Sequence, residues 1–362
     1  MPKRLAYDRT LFIVTLALVA FGLVMVFSAS ALMAAERFQS PYSFVGRQAV
    51  GAVLGVAALL GLLRFDYRRL KEPRLVYLLQ CITVFLLGAL FLLDRSHNTH
   101  RWIRLGPLSL QPSELAKPAL VIFLAYYLES RLRELNRWAT LAPIVLYVVT
   151  VCGLVLFEPD LGTTVALALI AAAMLWVAGL EWRWLGYAAA ASAPALYLLV
   201  FHVAYRRERI LAFLHPWQEA RGAAFQVVQS LIALGSGGVG GVGLMNGRQK
   251  LFFLPEAHTD FIFAVVGEEL GLIGCALLVA AFLVFLWRGV RIARRAPDEF
   301  GRLLAVGVTA MIVLQALINF SVVTSLVPNK GIPLPFISYG GSSLIFSLAA
   351  VGVLLNVSQH TG

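Results

Sequence analysis

Ten apolar runs, each close to the roughly 20 residues that a helix needs to cross a hydrocarbon core, divide this chain. They fall at residues 11–33, 44–63, 75–93, 113–130, 140–157, 163–180, 185–204, 261–287, 303–326 and 341–358. A backbone inside lipid must pair its own N–H and C=O groups, so each run predicts a helix. The repetition predicts an all-α polytopic membrane protein of about ten transmembrane helices. With 60% hydrophobic and only 14% charged residues, the 362-residue chain is excluded from the ordinary soluble class. One domain, residues 1–362, accounts for it, with a long outer loop at about 205–260 between the seventh and eighth runs. No internal repeat supports a symmetric transporter. The first run carries no small-residue cleavage site and reads as a span, not a removed signal. Cys81, Cys152 and Cys275 sit in apolar segments without metal-like spacing and read as buried free thiols.

Basic residues orient the spans. Lys3, Arg4 and Arg9 precede the first run; Arg64, Arg68, Arg69, Lys71 and Arg74 follow the second. Arg131, Arg133 and Arg137 follow the fourth, Arg183 the sixth, and Arg288, Arg291, Arg294, Arg295 and Arg302 flank the turn after the eighth. With ten alternating spans all of these share one side, which the positive-inside rule makes cytoplasmic. Both termini are then inside. The net charge of +11 is therefore mostly a topology signal, and no nucleic-acid partner is expected.

The unusual residues fall on the opposite side. RWIRLGPLSLQPSELAK (101–117) brings Arg101, Trp102 and Arg104, then a helix start at Pro112 with Glu114 and Lys117 three apart on one face. A self-neutralising ion pair is the plain alternative for those two. FEPDLGT (157–163) holds Glu158 and Asp160, and helix capping alone would explain Asp160. KLFFLPEAHTDFIFAVVGEELGLIG (250–274) passes from polar to membrane-grade apolar, with Glu256, His258 and Asp260 at the border and Glu268 and Glu269 within. Charges at such places are usually paired, facing water or functional. In PNKGIPLPFISYGGSS (328–343) three prolines forbid a helix, and Lys330 is the lone charge. Irregular backbone at that depth must be buried in protein or line a cavity.

Three further features have plain readings. Ala223–Leu234 is amphipathic and either lies in the interface or packs back on the bundle. GSGGVGGVG (235–243) lacks the lysine and hydroxyl of a phosphate loop, so it reads as a hinge or a close backbone approach. GAVLG (51–55) and GEELG (267–271) have the small-xxx-small spacing of helix-packing faces. A metal held by His97, His100 and His258 is a weaker alternative, with nothing else resembling a zinc site. Together Glu114, Lys117, Glu158, Asp160, Arg248, Glu256, Asp260 and Lys330 outline one outer vestibule. Acids beside cations in such a place suit acid/base work on a pyrophosphate-bearing substrate.

Nearly end to end, from YDRTLFIVTLALVAFGLVMVFSAS to ISYGGSSL, the sequence resembles the SEDS family (FtsW, RodA and SpoVE) of bacterial cell-wall polymerases. RWIRLGPLSLQPSELAK, FEPDLGTT, LPEAHTDFIFAVVGEELG and KGIPLPFISYGGSS carry the resemblance. It implies a ten-helix fold and a peptidoglycan glycosyltransferase that polymerises lipid II at the outer face of the cytoplasmic membrane. It also implies that Asp260, in HTDF, is catalytic. Ala257 before His258, where elongation-type members tend to carry arginine, and Lys330 point to the division branch. The implied partners are lipid II, a single-pass class B penicillin-binding protein and other division or elongation proteins.

Within that reading Asp260 is the general base. Arg101, Arg104, Lys117, Arg248, Lys250 and Lys330 are the cations available to the leaving pyrophosphate, with a divalent cation (Mg2+ or Mn2+) as an alternative source of charge. Glu114, Asp160, Glu256, His258, Trp102, Ser338 and Ser342 complete the expected substrate-binding set. Three rivals stand beside it: a lipid II flippase, which Glu268 and Glu269 would suit, an elongation-type polymerase, and a scaffold for a transpeptidase.

Overall fold

Ten helices of the computed structural model coincide with the ten apolar runs. The structure describes residues 6–93, 101–105, 108–201, 204–214, 216–218, 222 and 224–361. The chain runs through α1 (Arg9–Phe38), α2 (Ser43–Arg64), α3 (Pro73–Leu93), α4 (Pro112–Glu129), α5 (Trp138–Phe157), α6 (Leu161–Val177) and α7 (Trp182–Phe201). After these come α8 (Ala204–Leu214), α9 (Phe225–Gly237), α10 (Ile262–Arg295), α11 (Glu299–Val323) and α12 (Gly341–Ser358). By length and apolarity alone α1, α2, α3, α5, α10, α11 and α12 can each cross a membrane. The fold is thus all-α and polytopic. Its β-structure among the described residues is one short hairpin, β1 (Ile103–Leu105) against β2 (Leu108–Leu110), pairing Arg104 with Ser109.

Of the seven helices long and apolar enough to cross a membrane, α11 and α12 are the most enclosed. α11 packs against α4, α6 and α10, and α12 lies along α2. The GAVLG spacing explains the second contact. A Cβ on Gly51 would sit 3.1 Å from the Gly341 Cα, and one on Gly55 3.3 Å from the Ile345 Cα, so glycine lets the two backbones close together. α9, the expected amphipathic segment, packs back on α10 and α11. Its Ser230 hydroxyl donates to the Val323 carbonyl at 2.9 Å. Of the cysteines, Cys152 and Cys275 are half-buried, but Cys81 is exposed, because α3 is apolar enough to span yet only lightly covered by its neighbours.

One break interrupts this regularity. Gly271, at φ 65° and ψ −164°, splits α10, and the glycine-rich stretch before it fills the gap. Val242 and Gly243 donate their N–H groups to the freed carbonyls of Glu268 and Glu269, both at 3.0 Å. Leu272 N–H donates in turn to the Gly238 carbonyl at 2.9 Å. A Cβ on Gly237 would lie 1.9 Å from the Gly267 carbonyl oxygen. Of the two sequence readings for this stretch, the close backbone approach is the one present.

Candidate functional site

Asp260 stands two residues ahead of α10, at the end of an irregular stretch, with its carboxylate partly buried. The second irregular stretch, 324–340, lies beside it. Residues 334–338 are buried although no helix or strand pairs their backbone, so side chains do that work. Asn319 Nδ2 on α11 donates to both the Asp260 and the Ile332 carbonyls, each at 2.8 Å. One turn away, Gln315 Nε2 donates to the Pro333 carbonyl at 2.8 Å. Ser338 Oγ donates to the Thr259 carbonyl at 2.6 Å and accepts from Leu334 N–H at 2.7 Å. From α2, the buried Gln48 donates to the Ser338 carbonyl and accepts from Gly340 N–H, both at 3.0 Å. The proline-rich stretch is therefore buried in protein, as membrane depth demands, and it is fastened to the backbone on either side of Asp260.

Burial raises the Asp260 carboxyl to about 7. The negative charges of Glu256 and Asp160 push the same way, while Arg101 and Arg209 oppose them. Glu158 is fully buried with neither oxygen hydrogen-bonded, and burial first, then Asp160, raises it to about 8. Arg101 donates to the Glu158 carbonyl at 3.0 Å and to the Pro159 carbonyl at 2.5 Å, which fixes its guanidinium beside these acids. Asp160 caps α6, accepting from Thr163 N–H at 3.1 Å and Thr163 Oγ1 at 2.8 Å. Glu256 is exposed and accepts from Thr259 Oγ1 at 2.8 Å. His258 is buried between Phe44 and Tyr339, its Nδ1 without a partner. Burial lowers its pKa, Glu256 opposing and Arg37 assisting, which favours the neutral ring.

Glu114 and Lys117 form the expected pair at 2.8 Å, both almost wholly buried. Lys117 Nζ also donates to Gln315 Oε1 at 2.6 Å. The chain Glu114–Lys117–Gln315–Pro333 thus joins α4 to the stretch beside Asp260. Lys330 lies in that stretch, next to Gly331, against which the Asp260 carboxylate rests. Ser342 is buried in the first turn of α12 with no hydrogen-bond partner for its Oγ. Trp102 is exposed just before β1, and Arg104 lies on β1. His97 and His100 lie outside the described residues.

Lys250 is engaged elsewhere, and Arg248 is held in the same loop by its backbone N–H. Lys250 Nζ pairs with the fully buried Glu269 at 2.5 Å, and Glu269 also accepts from Ser28 Oγ and Met245 N–H. Glu268 accepts from Arg248 N–H at 2.7 Å and from Gln249 N–H at 3.2 Å. Both intramembrane acids thereby anchor the loop that enters the α10 break. The sequence reading missed Arg209 on α8, and missed Gln315, Asn319 and Gly331 as supports. Two amides four residues apart inside a spanning helix were the available signal for Gln315 and Asn319.

Among the described residues no group of three or more His, Cys, Asp or Glu side chains is gathered to hold a metal ion. What the site offers is a near-neutral carboxyl, further acids beside it, and two arginines, at the border of a spanning helix.

The FtsW/RodA/SpoVE family profile, described as cell cycle protein, matches residues 8–362. A probable peptidoglycan glycosyltransferase FtsW from Geobacter metallireducens is 46% identical over 356 residues, 98% of this chain and 95% of that protein. Stage V sporulation protein E of Bacillus subtilis is 40% identical over 361 residues, covering 99% of each. Among solved structures, a chain from work on coordination of polymerization and crosslinking by a peptidoglycan synthase complex superposes with a TM-score of 0.81. It is 32% identical and the match covers 98% of both chains. Rod shape determining protein RodA of Thermus thermophilus gives 0.72 at 30% identity over 99% of both. The chain belongs to the FtsW/RodA/SpoVE family of cell cycle proteins, and it is a multi-pass membrane protein.

Proposed function

We propose that this protein is a division-type peptidoglycan glycosyltransferase that polymerises lipid II at the outer face of the bacterial cytoplasmic membrane, with both termini inside. The observation that carries the reading is the Asp260 carboxyl, held near pH 7 beside Arg101 and Arg209, in a chain whose relatives bear that activity in their names. The acceptor sugar hydroxyl gives its proton to Asp260 as its oxygen bonds to C1 of the donor sugar. The C1–oxygen bond to the undecaprenyl pyrophosphate breaks, and that pyrophosphate leaves with the electron pair. A base whose pKa lies near the working pH serves this step best. Arg101 and Arg209, with Lys117 and Lys330 as further candidates, would offset the charge that develops on the leaving group.

Asp260 and Asp160 are hard oxygen donors suited to Mg2+ or Mn2+. Since no three such side chains are gathered in metal-holding geometry among the described residues, the substrate's own pyrophosphate would complete the shell. Such an ion would supply further charge neutralisation. A transpeptidase partner of the class B penicillin-binding type is supported by the likeness to a chain of a peptidoglycan synthase complex. The flippase reading loses its motive, because Glu268 and Glu269 are spent on Lys250, Ser28 and loop N–H groups. The test is purified protein with its transpeptidase and lipid II, glycan strands resolved on a gel. Strands from the native protein and none from Asp260→Asn are expected; transport without any strand from the native protein would overturn the reading.

A further inference from the structure

The last turns of α10 carry a feature that the polymerase reading does not use. Trp287, Val290, Arg291, Arg294 and Arg295 recur every three or four residues, so they share one face of the helix, and they line a cleft of about 250 Å³. Above them on α10 a stripe of exposed apolar residues, Ile273, Leu277 and Leu283, leads down to Trp287, itself 59% exposed. The acids around this end of the bundle are taken. Asp8 binds Arg288 at 2.5 Å, Glu299 binds Arg302 at 2.6 Å, and Asp298 receives Tyr67 Oη, Arg68 and Gly301 N–H. Arg291, Arg294 and Arg295 have no acidic partner among the described residues.

Three guanidinium groups over an apolar floor, at the point where a spanning helix leaves the hydrocarbon, match one kind of ligand. We propose that this cleft binds the phosphate of an anionic phospholipid, its acyl chains lying along the Ile273–Leu283–Trp287 stripe. Guanidinium forks take phosphate oxygens two at a time, and tryptophan marks the level of the headgroups. The carbonyl end of the helix repels anions by itself, so recognition rests on the arginines. An acidic protein segment would find the charge but would have no use for the apolar stripe. The proposal needs α10 to span a bilayer, and it is independent of the Asp260 chemistry.

The test uses the full-length protein and counts bound lipid by native mass spectrometry, with phosphatidylglycerol, phosphatidylcholine or inorganic phosphate as the added probe. Phosphatidylglycerol should be retained and the other two should not. Arg291→Gln/Arg294→Gln/Arg295→Gln together should weaken retention roughly tenfold or more, since a hydrogen bond to a charged group is worth about tenfold or more. A control triple at exposed arginines outside the cleft, Arg69→Gln/Arg74→Gln/Arg133→Gln, removes equal charge and should leave retention unchanged. If the first triple folds poorly, Arg294→Gln alone should still give about a tenfold loss. Equal losses in both triples would mean diffuse attraction and overturn the site. So would equal retention of phosphatidylcholine, binding of inorganic phosphate alone, or crosslinking from Trp287 to a protein instead of a lipid. The readout is bound lipid, so a failure here leaves the polymerase reading standing, and the reverse.

Discussion

Asp260 Oδ2 rests against the bare Cα of Gly331, where a Cβ would come within 2.4 Å of that oxygen. The loop that carries Gly331 is fixed by Gln315, Asn319 and Ser338, so it cannot simply retreat. Gly331→Ala should therefore push the carboxylate out of place while leaving the fold intact. A misplacement on the order of 1 Å costs about 100-fold in rate, and polymerisation assays should show a loss of that size with normal protein yield.

Asp260→Asn keeps size and much hydrogen bonding but cannot take a proton. General-base contributions are about 100- to 10,000-fold, and glycan synthesis should fall by that factor with partner binding unchanged. Normal strands from a well-folded Asn variant would remove Asp260 from the mechanism.

The rate should climb with pH through about 7 and level off above it, because only the deprotonated Asp260 accepts a proton. A flat profile between pH 6 and 8, with substrate saturating, would contradict the assignment.

Stability should run the other way. Asp260 and Glu158 are raised from 3.8 and 4.5 to about 7 and about 8, so between those limits the folded chain holds protons that the unfolded chain has lost. The stability they contribute is present below about pH 4 and is lost as pH rises through 7 to 8. Thermal unfolding should shift downwards from pH 5 to pH 9, and Glu158→Gln, which never ionises, should reduce that shift.

Removing one member of the buried Glu114–Lys117 pair strands the other, a cost of about 3–5 kcal/mol in such sites. The double alanine variant should lose little more activity and stability than the worse single variant. Strict additivity in a double-mutant cycle would show that they act separately.

Much of the scaffold was legible because membrane burial writes itself into composition. The apolar runs at 44–63 and 341–358, for example, became α2 and α12 with shifts of one residue or none. GAVLG announced a helix contact, though nothing in the spacing named α12 as the partner. The hairpin at Ile103–Leu110 escaped the reading because its turn signal, Gly106–Pro107, sits in a segment of ten residues too short to display a strand period. Arg209 escaped because α8 is polar enough to pass for loop. Lys250 was read as available to a substrate; its commitment to Glu269 depends on α10 breaking at Gly271, a tertiary event that local sequence does not encode. The Asp260 environment is likewise ambiguous in sequence, since burial and a nearby Lys117 or Lys330 pull in opposite directions, and the structure brings Arg101 and Arg209 to oppose the burial instead.

The slot that α12 fills along α2 has a consequence for biosynthesis. Gln48 of α2 has its two partners in residues 338 and 340, and Gly352 of α12 lies where a Cβ would meet the Leu59 carbonyl oxygen at 2.6 Å. The stretch against Asp260 and the helix that anchors it thus follow α1 to α11 in chain order. Until they have been made, an otherwise inserted chain exposes an empty seat on α2 and has no finished site. Such nascent chains would be inert by construction, and polymerising activity would begin only once α12 is seated.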